Sequence, residues 1–180
     1  YGAMKRWIEA IKKEGLPGIP SAQSPAWLGD WLAPEPADDA LLWNAFHYRN
    51  AKYMQFFAGK LGLSEEEKAY GQEAEETKRY WNETFVEKET GRTKCADGSI
   101  CDVQGSYSTG LSCDVFDERY TEAAFGHLAR KTKEGDFTIR SGFFGTEPIN
   151  PMLSLGGFSD LAYRMITQTK YPSWLYPVTQ

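Results

Sequence analysis

The sequence has no apolar run approaching the roughly 20 residues that a membrane-spanning helix requires. It also lacks any run of lysine and arginine long enough to follow a phosphate backbone, and its 180 residues carry a net charge of −5. These absences argue against a membrane segment and against nucleic acid as a partner. An acidic surface of this kind tolerates neutral sugars and disfavours polyanions.

Cysteine and histidine are also scarce, with three and two copies respectively. Cys95, Cys101 and Cys113 form no CxxC pair, and both histidines lie in separate helical patterns, so the spacing argues against a zinc site. Cys95 and Cys101 flank the Asp97-Gly98 turn and could form a disulfide. Free thiols are the simpler alternative.

Runs with the two-residue period of a β-strand are missing as well, and the remaining pattern is helical. The predicted helices cover residues 3–14, 38 or 39 to 61, 64–85, 104–113, 117–133, 150–155 and a last one from 159. Gly15 is predicted to end the first helix, Asn150 and Ser159 are the predicted N-caps of the last two, and Ile166 is predicted to be buried in the last. A long loop is predicted from 16 to 36, and a short β-turn excursion from 87 to 103.

Two of these helices form a predicted hairpin. About three residues separate them, so they are expected to be antiparallel neighbours. Asp38 or Asp39 is the predicted N-cap of the first, and Ser64 with Glu67 is a predicted capping box for the second. The expected buried positions are Leu42, Phe46, Tyr53, Phe57 and Leu61 in the first helix, and Tyr70, Ala74, Thr77, Trp81 and Phe85 in the second.

Aromatic residues are abundant, at 14% of the chain with six Trp and ten Tyr. Such an excess is typical either of an ordinary core or of a surface on which sugar rings stack, because the C–H faces of a sugar pack on aromatic planes. The composition alone leaves both interpretations open.

Several motifs favour the second interpretation. The sequence reads Gly-Phe-Phe-Gly-Thr at 142–146, Asp-Leu-Ala-Tyr at 160–163 and Tyr-Pro-Ser-Trp-Leu-Tyr-Pro-Val at 171–178. Upstream, Gly-Asp-Trp-Leu-Ala-Pro at 29–34 follows a helical start at 4–9. In this order the motifs closely resemble the helical barrel of bacterial α-L-rhamnosidases, which are six-hairpin glycosidases.

The resemblance implies an all-α fold amounting to about half of an (α/α)₆ six-hairpin toroid. Residues 1–180 would be a single segment of that catalytic domain, truncated at both ends. The family is described as inverting, with its glutamate acid before this segment and its glutamate base after it, so no catalytic residue is assigned here. The implied substrate is a rhamnose-containing glycoside or polysaccharide, with no cofactor and no metal. A partial barrel would also expose apolar faces, which predicts self-association.

Four residues are predicted to bind substrate. Asp30 would accept hydroxyl groups of the sugar, and by resemblance Trp31 would stack on its ring or methyl group. Trp174 would line the pocket or brace the loop that bears the base. Phe143 and Phe144 could pack at the barrel mouth, and Phe144 is the one assigned to the substrate site; core packing is the favoured alternative for both. The alternative for Asp30 and Trp31 is a purely structural turn, in which Asp30 caps backbone amides and Trp31 fills the barrel.

Three nearby acidic residues, Glu35, Asp38 and Asp39, suggest a catalytic pair within the chain. Prolines flank Glu35 and the two aspartates begin a helix, so capping is the favoured interpretation. Two other functions stay open: a six-hairpin glycosidase for another sugar, and a non-catalytic helical module that binds sugar or protein.

Overall fold

The computed structural model describes residues 1–13 and 29–179. The predicted end of the first helix at Gly15 and most of the predicted loop from 16 to 36 therefore lie outside the described residues. The helices are α1 (Gly2–Lys13), α2 (Asp39–Lys60), α3 (Ser64–Phe85), α4 (Gln104–Ser112), α5 (Glu118–Glu134), α6 (Phe143–Thr146), α7 (Ile149–Leu155) and α8 (Ser159–Ile166). A 3₁₀ turn at Tyr176–Val178 follows. The all-α prediction is confirmed.

Helices α2 and α3 form the predicted antiparallel hairpin. At its open end the indole Nε1 of Trp81 donates to the carbonyl of Leu41 at 2.9 Å. At its closed end Gly62 turns the chain with φ of 71°, a conformation that glycine adopts without steric cost. All five positions predicted to be buried in α3 are buried.

The predicted face of α2 is largely wrong. Tyr53, Phe57 and Leu61 are 51%, 39% and 58% exposed. The helix buries a neighbouring stripe instead: Leu41, Leu42, Asn44, Ala45, His47, Tyr48, Ala51, Met54 and Ala58. The error arose because α2 is apolar on more than one side, and its buried side carries three alanines, Ala45, Ala51 and Ala58, among the larger buried residues.

Helix α4 lies at the centre of the second half of the molecule. Its residues from Gln104 to Leu111 are all buried, although the sequence QGSYSTGLS is mostly small and polar. Ser108 Oγ donates to the carbonyl of Gly145 at 2.8 Å, which ties α4 to α6. Gln104 bridges the segment after α5, accepting from Arg140 N at 2.9 Å. Small residues in α4 thus allow α6 to approach closely.

Helix α1 attaches to the hairpin through a separate small cluster. Ile8 packs with Met54 and Tyr70, apart from the main core. Two ion pairs support it: Lys5 with Glu66 at 3.0 Å and Lys12 with Glu73 at 2.7 Å. The pairs are partly exposed, so they add little stability.

The predicted caps had mixed outcomes. Asp38 is the N-cap of α2, and its Oδ1 accepts from Leu41 N at 2.9 Å. Ser64 and Ser159 are the first helical residues rather than caps, and neither helix has a side-chain cap. Asn150 lies within α7, which begins at Ile149. A capping side chain identifies a helix start only to within a residue or two.

The segment between α3 and α4 contains the predicted β-turn excursion, with antiparallel bridges Val86–Thr93 and Lys94–Ile100. The three cysteines in and after it are free thiols. Burial raises the pKa of Cys101 to about 12, which keeps its thiol protonated at neutral pH. In the part of the chain that is described, no helix is both long and apolar enough to cross a membrane.

Candidate functional site

A cleft of about 800 Å³ opens where the segment around α6 meets the end of α8 and the C-terminal segment. Its lining residues are Leu32, Ile139, Ser141, Gly142, Phe143, Thr146, Glu147, Asn150, Pro151, Ile166, Trp174 and Leu175. Pockets for small ligands typically have about 300–1,000 Å³ and a mainly apolar lining with a few polar groups. This cleft fits that description.

The polar groups of the cleft come from one stretch, 141–150. Thr146 Oγ1 lies 3.1 Å from Ser141 Oγ and 3.2 Å from the Ser141 carbonyl, so the two residues orient each other. Asn150 Oδ1 is buried and has no hydrogen-bond partner among the described residues. A buried acceptor without a partner is costly, so Asn150 is a polar group of the cleft lining whose oxygen is not satisfied by the described residues.

Trp174 lines the cleft and is 38% exposed. Its segment is fixed on both sides. Before it, the Pro172 carbonyl accepts from Ile139 N at 2.8 Å. Across it, Ser173 Oγ accepts from Tyr176 N at 3.3 Å. These bonds anchor the segment that carries Trp174 beside the cleft, and its role in substrate binding stays a prediction.

Trp31 lies beside the cleft rather than within it. Its ring meets that of Phe143 edge to face, with centroids 5.3 Å apart and planes at 73°. Its carbonyl accepts from Phe143 N at 3.1 Å. Phe143 in turn lines the cleft with Trp174. Trp31 and Trp174 therefore lie on the same side of the fold, linked through Phe143.

Phe144 points away from this arrangement. Its ring packs on Phe46 and Trp43 of α2, at centroid distances of 4.9 and 6.0 Å. It is half-buried against the core. Of the two adjacent phenylalanines, Phe143 lines the cleft and Phe144 joins α6 to α2.

Asp30 is also turned inward. The residue is 5% exposed and does not line the cleft. Burial raises the pKa of its carboxyl, and the backbone amides of Gly142, Gly145, Ala37 and Phe144 act in the opposite direction. The amides lie close enough to favour the charge, yet neither carboxylate oxygen has a partner with full hydrogen-bond geometry among the described residues. The expected contact with sugar hydroxyl groups is not available to a side chain in this position.

The other acidic residues near this loop, Glu35 and Asp39, make contacts within the fold and do not line the cleft. Glu35 lies 4.0 Å from both Lys131 and Arg140, at the limit of an ion pair. A Cβ on Gly29 would fall 1.6 Å from Asp39 Oδ1, so Gly29 makes room for that carboxylate rather than for a ligand. Within residues 1–13 and 29–179, no three His, Cys, Asp or Glu side chains are grouped so as to hold a metal ion.

Sequence reasoning did not assign Leu32 or Ile166 to the site, and of the two adjacent phenylalanines it assigned Phe144 rather than Phe143 to substrate binding. Ile166 was expected in the core but is 47% exposed, at the end of α8. Leu32 has a φ of 65°, a left-handed conformation that costs an L-residue roughly 1–2 kcal/mol. Unfavourable backbone conformations of this kind cluster at functional sites. No pattern in the sequence marks Leu32, because the strain is a property of the loop.

Comparison with known proteins identifies the family. The family model described as the bacterial alpha-L-rhamnosidase 6 hairpin glycosidase domain matches residues 1–180. An α-L-rhamnosidase of Formosa agariphila is 28% identical over 191 aligned positions, covering 100% of this chain and 19% of the relative. One from Alteromonas sp. is 25% identical, with 99% of this chain and 20% of the relative covered. The chain thus spans about a fifth of the length of these curated relatives.

Solved structures share the fold. The α-L-rhamnosidase of Streptomyces avermitilis, solved in complex with L-rhamnose, superposes with a TM-score of 0.83 at 24% identity, over 99% of this chain and 16% of that one. The native enzyme from Aspergillus terreus gives a TM-score of 0.73 at 25% identity, over 84% and 18%. The enzyme from Dictyoglumus thermophilum gives 0.84 at 22% identity, over 99% and 20%. Both the sequence and the helical architecture show that this chain belongs to the bacterial α-L-rhamnosidase six-hairpin glycosidase domain family.

Proposed function

We propose that the protein containing this chain is an α-L-rhamnosidase, which removes terminal α-linked L-rhamnose from a glycoside or polysaccharide. The observation that carries the proposal is the aromatic and aliphatic cleft of about 800 Å³, in a chain matched over its whole length by a family of rhamnosidase domains. This cleft would form one wall of the rhamnose site.

The chemistry of the cleft suits a deoxy sugar. Phe143 and Trp174 offer rings for the C–H face of a pyranose, and Ile166 and Leu175 offer an aliphatic surface for its C6 methyl group. Thr146 and Asn150 supply polar groups for the ring hydroxyls. In this proposal Trp31 contributes through Phe143, at the edge of the wall.

The reaction requires two carboxyl groups. In an inverting glycosidase they lie about 6.5–9.5 Å apart, so that a water molecule fits between the base and the anomeric carbon. Among the described residues Glu147 is the one carboxylate that lines the cleft, and it cannot act as acid and base at once. As the resemblance to the family implies, we propose that both catalytic groups belong to polypeptide outside these 180 residues, with direct displacement by water and no cofactor.

A hydrolysis assay tests this proposal. The 180-residue chain should not hydrolyse p-nitrophenyl α-L-rhamnopyranoside, whereas the full-length gene product should. Glu147→Gln in the full-length protein should retain hydrolysis, because Glu147 is neither acid nor base. An inert full-length protein would refute the enzymatic proposal, and loss of activity in Glu147→Gln would refute the location of the carboxylates.

Two other functions remain as outcomes of the same experiments. A different sugar specificity would show as comparable affinity for L-mannose, which carries a hydroxyl at C6 where L-rhamnose has none. An apolar wall should disfavour that hydroxyl by about 1–3 kcal/mol, which is roughly 5-fold to 150-fold in affinity. The single carboxylate of the cleft also fits a non-catalytic binding module, which would bind L-rhamnose without any hydrolysis.

A further inference from the structure

We propose that Asp30 is a positioning residue whose buried carboxylate holds the Trp31 turn against residues 142–145. In this role it sets the place of Trp31 and Phe143 at the cleft without touching the sugar. The inference rests on the proposed function, and it deepens the account of that site.

The first support is the environment of the carboxylate. Asp30 is 5% exposed, and no cationic side chain among the described residues pairs with it. The backbone amides of Gly142, Phe144 and Gly145 around α6 favour its charged form, while the carboxylate of Asp39 is a neighbouring like charge. Successive amides of a turn form a concave surface that favours an anion, and here that anion is a side chain of the neighbouring loop.

The second support is the space made for this loop by three glycines. A Cβ on Gly142 would lie 2.2 Å from the Asp30 carbonyl oxygen and 2.3 Å from that of Trp31. A Cβ on Gly105 of α4 would lie 2.6 Å from Asp30 Oδ2, and one on Gly145 would lie 2.7 Å from the Gly105 Cα. The loop, α4 and α6 thus meet at van der Waals contact around one carboxylate.

The third support is the connection from Asp30 to the aromatic wall. The next residue, Trp31, contacts Phe143 through both its carbonyl and its ring, at 3.1 Å and 5.3 Å. Leu32, with its left-handed φ of 65°, then reaches the cleft. A shift of Asp30 relative to the 142–145 amides would therefore move Trp31, Leu32 and Phe143 together.

The free-energy cost of burying the Asp30 carboxylate distinguishes a positioning role from a stabilising one. A buried carboxylate without a cationic partner is unfavourable, and a neutral or apolar residue of the same size commonly stabilises the fold. Burial raises the pKa of Asp30, which reflects that cost. Asp30 lies where the Trp31 turn, α4 and α6 meet most closely, so its contribution is to the geometry of the loop rather than to stability.

Asp102 provides a matched control. It is also a partly buried aspartate, but it accepts from Tyr107 Oη at 2.6 Å and from Arg130 Nη2 at 2.6 and 2.8 Å. These partners lie in α4 and α5, and none of them lines the cleft. Asp102→Asn therefore removes a carboxylate of comparable size without disturbing the Trp31 turn.

The decisive experiment is a double-mutant cycle in the full-length protein, with Asp30→Asn, Trp31→Ala and the double variant. The KM for p-nitrophenyl α-L-rhamnopyranoside should rise roughly tenfold in each single variant, and the double variant should be no worse than Trp31→Ala, as for residues that act through one contact. Asp102→Asn should leave KM unchanged and lower the apparent melting temperature, whereas Asp30→Asn should not lower it. The inference would be overturned if the KM of the double variant rose by the product of the two single increases. It would also be overturned if Asp30→Asn left KM unchanged.

A second measurement does not depend on activity. Hydrogen exchange at the Phe143 amide should become faster in Asp30→Asn and stay unchanged in Asp102→Asn, because only the first releases the Trp31 turn. Equal exchange in wild type and Asp30→Asn would overturn the positioning role even if the protein hydrolyses rhamnosides. An inactive wild-type protein would refute the proposed function, while faster exchange in Asp30→Asn would still support the positioning role.

Discussion

Replacing Gly142 by alanine tests the close contact between the Trp31 turn and the segment before α6. The added methyl group would fall 2.2 and 2.3 Å from two carbonyl oxygens, those of Asp30 and Trp31. Gly142 has φ of −90° and ψ of −152°, an extended backbone that alanine adopts readily. Any effect of Gly142→Ala is therefore steric rather than conformational.

The expected magnitude follows from the distances. Real Cβ atoms do not approach other heavy atoms within 3.0 Å, so the turn must retreat by nearly an ångström. Overpacking of this kind costs typically about 1–3 kcal/mol. The carbonyl of Trp31 would also lose its bond from Phe143 N, now 3.1 Å, which adds about 1 kcal/mol. We expect Gly142→Ala to lower the free energy of unfolding by about 2–4 kcal/mol.

Gly126, in the middle of α5, supplies the control. A Cβ there meets no heavy atom within 4 Å, so Gly126→Ala should stabilise the chain by about 0.5–1 kcal/mol through its higher helix propensity. Urea unfolding followed by circular dichroism measures both variants under the same conditions. If Gly142→Ala unfolds at the wild-type midpoint while Gly126→Ala is more stable, the contact described between the two loops is incorrect.

Three further variants test other parts of the structure. Trp81→Phe should cost roughly 1–3 kcal/mol in urea unfolding, because it removes the indole bond to the Leu41 carbonyl and leaves a small cavity. Asp102→Asn should destabilise the chain at neutral pH and progressively less below about pH 4: burial opposes the charge of Asp102, but its bonds from Tyr107 and Arg130 lower its pKa, so its contribution is lost as pH falls through the folded-state pKa. The isolated 180-residue chain should self-associate through exposed apolar residues, and replacing Tyr53 and Phe57 by serine should shift it towards monomer in light scattering after gel filtration.

Each of these expectations has a contradicting result. An unchanged urea midpoint for Trp81→Phe would mean that the open end of the hairpin is held by other contacts. A destabilisation of Asp102→Asn that is equal at pH 7 and pH 3 would rule out the charge of Asp102 as its cause. A wild-type chain that is monomeric at all concentrations would show that its exposed aromatic residues do not drive self-association.

Local helix signals in this sequence were sufficient to predict most of the helices. In α3 the apolar positions stand on a polar background of Glu, Lys and Gln, so a single stripe is visible and all five predicted positions are buried. In α2 apolar residues occur on several sides, and periodicity cannot choose among them. The buried stripe is set by alanines packed against neighbouring helices, which is tertiary information.

The site was harder to predict than the helices. Trp31 and Trp174 do lie on one side of the fold, with Phe143 between them and the cleft lined by Phe143 and Trp174. The orientation of adjacent residues was not predictable: Phe143 faces the cleft and Phe144 faces α2, although both stand between the same glycines. In a one-turn helix such as α6, the direction of each side chain depends on what α6 packs against, and no periodic pattern of that length encodes it.

The role of Asp30 illustrates the same limit. An aspartate before a tryptophan suggests a ligand for sugar hydroxyls, and both the binding and the capping interpretations were available from sequence. The structural surroundings, with buried oxygens beside Gly105 and the amides of 142–145, depend on segments more than 70 residues away. Such a contact can be found only once the chain is folded.

The meeting of the Trp31 turn with Gly105, Gly142 and Gly145 also constrains how this enzyme family can be recombined. The turn and the three glycines come from three distant stretches of the chain. A crossover between positions 32 and 105 would therefore combine the turn of one parent with the glycines of another. Chimeras that keep residues 29–32, 105 and 142–145 from a single parent should express and fold at parental yield. Those that split them should accumulate as insoluble protein, even when every exchanged residue is acceptable in its own background.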